Sequence, residues 1–109
     1  MDGCYLRLYV HENTRVGGQL AWEWILAQAN DLGIRGGSAF RAMAGFGRHH
    51  VLHEERFFEL AGSVTVELDF IVTDEEARLL LDLLEREQLR VFYARVPAHF
   101  GVVGGASPD

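Results

Sequence analysis

The chain has 109 residues, 49% of them hydrophobic, and a formal net charge of -6. That size and apolar content suit one domain over residues 1–109 with a modest core, and the acidic balance argues against nucleic acid as a partner, because phosphate binding needs a clustered basic surface. One cysteine, Cys4, allows no internal disulfide, and no apolar run reaches membrane-spanning length. The expected compartment is therefore the cytoplasm, with no secretory leader and no direct membrane insertion. All ten basic residues are arginine, a bias of composition that also supplies planar forks suited to carboxylate, phosphate and bicarbonate.

In chain order, residues 5–11 alternate, with Leu6, Leu8 and Val10 on one side and Tyr5, Arg7 and Tyr9 on the other. This predicts a strand with one apolar face. A turn over 12–18 leads into a helix reaching about residue 32, polar along Gln19, Glu23, Ala27 and Asn30 and apolar at Trp22, Trp24, Ile25, Leu26 and Leu32. So wide an apolar surface exceeds one sheet contact and points to a second one, with another subunit as a candidate. Gly33 stands where a helix ends, and residues 38–44 read as a second strand.

A long, polar, glycine-opened connection follows over 44–60, the length at which a loop in a small domain is usually functional. Residues 64–72 give the cleanest strand pattern, with Ile71 out of phase. Thr73-Asp74-Glu75-Glu76 is a capping box that starts a helix running to about Gln88. That helix buries Ala77, Leu80, Leu81 and Leu84 and spaces Arg78, Asp82 and Arg86 for exposed pairing. A last strand over 90–96 is closed by Pro97, which leaves a core of about 5–96 and a glycine-rich tail over 97–109, flexible unless it folds over a ligand or a neighbour.

The order β-α-β-β-α-β is the α+β, ferredoxin-like plan: a four-stranded antiparallel sheet, two helices on one face, the long loop between strands 2 and 3, and the first and third strands central. The uncovered face then carries Arg7 beside Glu67 and Asp69, with Arg41, Tyr9, Tyr93 and Arg95 nearby. Aromatic residues mixed with paired charges on such a face point to packing against copies of the same chain.

The loop holds the densest chemistry. His49, His50 and His53, followed by Glu54 and Glu55, are residue types that suit zinc, nickel or copper, and they are equally ordinary in an exposed polar loop. Arg41 is placed either to reach a ligand phosphate or to pair with Glu67 or Asp69. Phe57, Phe58 and Leu60 either dock the loop's far end on the domain or anchor a partner. No nucleophile stands beside a base and no metal motif is complete, so no enzymatic activity and no required cofactor are expected.

Ala44-Gly45-Phe46-Gly47-Arg48 resembles the Gly-Phe-Gly-Arg that opens the regulatory T-loop of PII signalling proteins, at the same place in the same order of elements. Within that group the chain resembles a PII-like family of unknown function whose sequences read Arg-Gly, Gly-Phe-Gly and Ile-His; Arg41, Gly45-Phe46-Gly47 and Leu52-His53 stand at those places. The resemblance implies a homotrimer with adenine nucleotide (AMP, ADP or ATP) in clefts between subunits, contacted by Arg41, Gly45, Phe46, Gly47 and Arg48. It also implies a loop, here including His49, His50, His53, Glu54, Glu55 and Arg56, that grips a membrane transporter or an enzyme.

The chain departs from PII proteins at three points. His49 replaces the glutamine used for magnesium and 2-oxoglutarate, and the loop has no tyrosine to modify. Glu87-Gln88-Leu89-Arg90-Val91 leaves no room for the usual glycine- and lysine-rich phosphate loop, so Arg90, Arg95 or the tail takes over its contacts. Some PII-like proteins accompany inorganic-carbon uptake systems, which makes bicarbonate a candidate co-ligand. The alternative is a divalent-metal-binding trimer that uses His49, His50 and His53, by analogy with the CutA proteins of the same fold.

Overall fold

The computed structural model describes residues 1–46, 52–54 and 64–104. Its centre is β1 (Asp2–His11), where Leu6 and Leu8 have no exposed surface while Tyr5, Arg7 and Tyr9 between them are only half-buried. A strand that alternates in this way has one dry face and one open one. β1 pairs antiparallel with β7 (Thr65–Val72) on one side and with β8 (Phe92–His99) on the other; β4 (Gly37–Arg41) pairs with β7. The sheet order β4-β7-β1-β8 places the first and third long strands in the middle, which is the ferredoxin-like α+β arrangement.

The two helices among the described residues close the dry face. α1 (Ala21–Asp31) inserts Ile25 and Ala29, and α2 (Asp74–Arg86) inserts Ala77, Leu80 and Leu84, into one cluster with Leu6, Leu8, Leu68, Phe70 and Val72. Each fully buried aliphatic or aromatic side chain there contributes about 1.5–3 kcal/mol relative to exposure. The helix surface that looked too wide for one contact is partly used: Trp22, Trp24, Leu26 and Leu32 all pack against this cluster.

Local chemistry sets the ends. Residues 15–20, expected as turn and helix start, form a small ribbon of β2 (Arg15–Val16) and β3 (Gln19–Leu20). Gly17 and Gly18 both take positive φ, 56° and 83°, the backbone that tight hairpins require. α1 therefore begins later, with the Ala21 N–H donating to the Thr14 carbonyl at 2.7 Å. α2 starts as expected. The Glu76 N–H donates to Thr73 Oγ1 at 3.1 Å and the Thr73 N–H donates to Glu76 Oε1 at 2.9 Å. At its other end Gln88 sits at φ 55°, a left-handed position normally taken by glycine.

The expected second strand, 38–44, is divided. β4 leaves the sheet after Ala42, whose N–H donates to the Thr65 carbonyl, because β7 begins there and offers no further partner. The chain then forms β5 (Ala44–Phe46), which pairs with β6 (Leu52–Glu54) in a separate two-stranded ribbon at the base of the long connection.

The last strand continues through Pro97, opposite Cys4, to His99 opposite Asp2. β8 is an edge strand, where a missing N–H costs no ladder bond. The paired region thus reaches beyond the expected 5–96, and Phe100 exchanges backbone hydrogen bonds with Met1.

The register also corrects the predicted open face. Tyr93 lies opposite Leu8 and Arg95 opposite Leu6, so both share the helix side; Phe92, Ala94 and Val96 take the open side instead. The slip is one residue, which exchanges the faces of an entire strand. Arg95 tolerates the helix side because its long stem lets the guanidinium reach Asp74 at the start of α2, 3.1 Å away. Arg41, opposite Val66, is likewise on the helix side by register.

Two substitutions test these ends. Gln88→Gly relieves the left-handed strain and should raise stability by up to about 1 kcal/mol in thermal unfolding. Gly37→Ala should destabilise by about 1–3 kcal/mol, because a Cβ there meets the ring of buried Phe70.

Candidate functional site

The open face of the sheet carries a compact charged group. Arg7 projects from β1 between two acids of β7: its Nε lies 3.2 Å from Asp69 Oδ1 and 3.1 Å from Glu67 Oε2. Its Nη2 donates to the Tyr5 hydroxyl at 3.0 Å, and its guanidinium lies 5.2 Å from the Tyr5 ring centre. The Arg7 guanidinium is held well above its ordinary range, first by the Tyr5 and Tyr9 hydroxyls and then by Glu67, so it is always charged.

Glu67 is pushed up from the ordinary carboxyl value of 4.5 by loss of water, then by hydrogen bonding and repulsion from Asp69; Arg7 opposes this. Apolar groups surround the trio. Phe40, Ile71, Phe92 and Val96 are each about half exposed on this face, and the Tyr9 and Phe92 rings meet at a tilt with centroids 5.7 Å apart.

A second feature lies along the β4 edge. A groove at the start of β4 runs from Arg35, Gly36 and Gly37 past Phe40 to Asp69 and Ile71. Arg35 is exposed and makes no ion pair among the described residues. At the other end of β4, Arg41 Nε lies 2.8 Å from Glu12 Oε1, so its partner is Glu12 rather than the expected Glu67 or Asp69. Those two acids point to the opposite face and are already engaged by Arg7.

Among the described residues, the predicted nucleotide contacts are not gathered within one chain. Arg41 and, in β5, Gly45 and Phe46 belong to the β4 side of the sheet. Arg95 is on β8 and Arg90 just before it, at the opposite edge. Three strand spacings separate these edges, about 14 Å. Along the strands the two arginines differ as well. Arg95 is level with Leu6 and paired with Asp74, whereas exposed Arg90 precedes Phe92, which is level with Tyr9, and so lies toward the Arg41 end.

Gly47, Arg48, His49, His50, Glu55 and Arg56 lie outside the described residues, as do Phe57, Phe58 and Leu60. Of the candidate metal ligands, His53 is placed in the β6 backbone opposite Gly45, with Glu54 opposite Ala44. Among the described residues no cluster of three or more metal-ligating side chains occurs, and no helix is long and apolar enough to cross a membrane. Arg35 was missed by sequence reasoning, although Arg35-Gly36-Gly37 between a helix end and a strand is a local signal for an open backbone with a nearby charge.

The profile of the DUF190 family, described as Uncharacterized ACR, matches residues 3–91. The chain is also similar to a UPF0166 protein of Aquifex aeolicus (strain VF5), 26% identical over 96 residues that cover 81% of this chain and 91% of that protein.

In the Arg41–Glu12 pair the arginine is largely exposed and Glu12 is half-buried, so Arg41→Ala should change unfolding free energy by no more than about 1 kcal/mol in urea titration. A larger loss would assign Arg41 to the fold and not to a ligand.

Proposed function

Because the chain belongs to the PII-like DUF190 family, we propose that it is a self-associating sensor, a homotrimer that binds adenine nucleotide between subunits and regulates a partner through the 44–60 connection. The observation that carries this reading is the division of the candidate contacts between opposite edges of one sheet. Arg41 with Gly45 lies on one edge and Arg90 on the other, about three strand spacings apart in a single chain. Joining the β4 edge of one copy to the β8 edge of the next brings them to one cleft.

The open sheet face supports association. It combines apolar surface with charges of both signs on adjacent strands, the composition of a surface that further copies can cover. At the other end of β4 from Arg41, the groove offers what a small anion needs: the Arg35 guanidinium, without an ion pair among the described residues, beside Phe40 and backbone laid open at Gly36, where nothing lies within 4 Å of an added Cβ. A small anion such as bicarbonate would suit the same arginine forks. The 44–60 connection, in which β5 and β6 pair as a ribbon, would grip a transporter or an enzyme in the cytoplasm. Binding, not catalysis, is the role.

Calorimetry with AMP, ADP and ATP tests the ligand, and mixing variants tests the cleft. Arg41→Ala and Arg90→Ala should each weaken nucleotide binding severely. After unfolding and refolding together, about one quarter of the sites should regain full affinity, since half of each edge is intact. No heat with any adenine nucleotide overturns the ligand; loss in both variants without rescue overturns the shared cleft.

A further inference from the structure

The trio on the open face is unbalanced. One guanidinium, Arg7, serves two carboxylates, Glu67 and Asp69, which leaves an excess negative charge among Tyr5, Tyr9, Phe40, Ile71 and Phe92. On a solvated face that excess is tolerated. When a second copy covers the face, water withdraws and an unpaired carboxylate becomes costly. The cheapest remedy is a proton on the less favoured acid. We propose, on the basis of the self-association described above, that assembly through this face takes up a proton at Glu67, so that the protein associates more tightly as the pH falls.

Glu67 is the acid to receive it. Its position opposite Tyr9 and Phe40 gives it one tyrosine and one phenylalanine as cross-strand neighbours. The ionisable groups on this face are Arg7, Tyr5, Tyr9 and His11 from β1 and Asp69 from β7; β4 contributes Ser38 and Phe40, and β8 contributes Phe92, Ala94 and Val96. Of these only Arg7 favours the ionised form of Glu67. Loss of water and the Asp69 carboxylate both favour the protonated one, and their combined effect already raises Glu67 in the single chain.

A carboxyl whose proton affinity rises on association gives a stabilisation that is complete at low pH and is lost as pH climbs through its raised value. Covering the face removes more water and moves Glu67 further in the same direction.

Sedimentation velocity on dilution series of the full chain between about pH 8 and about pH 5.5 reads the effect directly. For every tenfold gain in the proton affinity of Glu67 on association, the dissociation constant should fall about tenfold per chain toward acid. Calorimetric dilution in two buffers of different ionisation heat should count protons released on dissociation. Glu67→Gln, with its fold checked by circular dichroism, should associate at about pH 8 as tightly as the wild type does in acid, and lose the pH dependence. Asp69→Asn should also flatten it, by removing the charge that opposes ionisation.

An oligomer whose dissociation constant is the same at both ends of the range overturns this inference while leaving self-association intact. Unchanged pH dependence in Glu67→Gln overturns it too, since the titrating group is then not Glu67. A monomer at every pH and concentration overturns both readings.

Discussion

The structure depends on the alternation of β1 and β7, the two strands with a partner on each side. Their inner positions, Leu6, Leu8, Leu68 and Phe70, are essentially without exposed surface. Their outer positions carry Arg7, Glu67 and Asp69. Either set alone would favour the observed register; together they exclude its neighbours. Sliding one strand by a residue would carry carboxylates into the cluster beneath the helices and set leucines on the open face, a change of several kcal/mol for each buried charge. The ion group thus fixes pairing as much as it decorates a surface.

This double patterning is why the central strands are legible. Residues 64–72 and 5–11 announce both faces in the letters themselves, and Thr73 with Glu76 marks a helix start by chemistry that needs no tertiary context. β8 is harder. Phe92, Tyr93, Arg95 and Val96 read naturally with the arginine turned outward, yet pairing with β1 places Arg95 beneath and Phe92 and Val96 above. At a sheet edge the helix layer is incomplete, so a long charged side chain can leave the inner side, and hydrophobicity no longer decides the phase. The Gly17-Gly18 ribbon is legible in principle, as a glycine pair between short extended segments, but its residues read equally well as the approach to a helix.

The candidate site is less legible than the fold because no stretch of sequence contains it. Gly45, Arg41 and Arg90 are joined by none of the periodicities that reveal strands and helices. Their relation depends on which edge of the sheet each occupies, and that follows only from the strand order. Arg35 gives a local clue that its position beside a helix end makes easy to pass over. The partner of Arg41 cannot be read from pattern at all: Glu12 follows β1 in the chain and meets Arg41 only because both strands end at the same level.

Pro97 has a consequence beyond its own strand. An edge of unpaired N–H and C=O groups can template a further strand from any chain it meets, including an unfolded copy. β8 is such an edge, and beside Pro97 it carries Val96 more than half exposed. A proline there deletes a donor from the row that an incoming strand would have to match, so fibrillar growth along β8 is interrupted at its C-terminal end. The residue that costs nothing within the native sheet thus leaves that end of the edge a poorer template for a further strand.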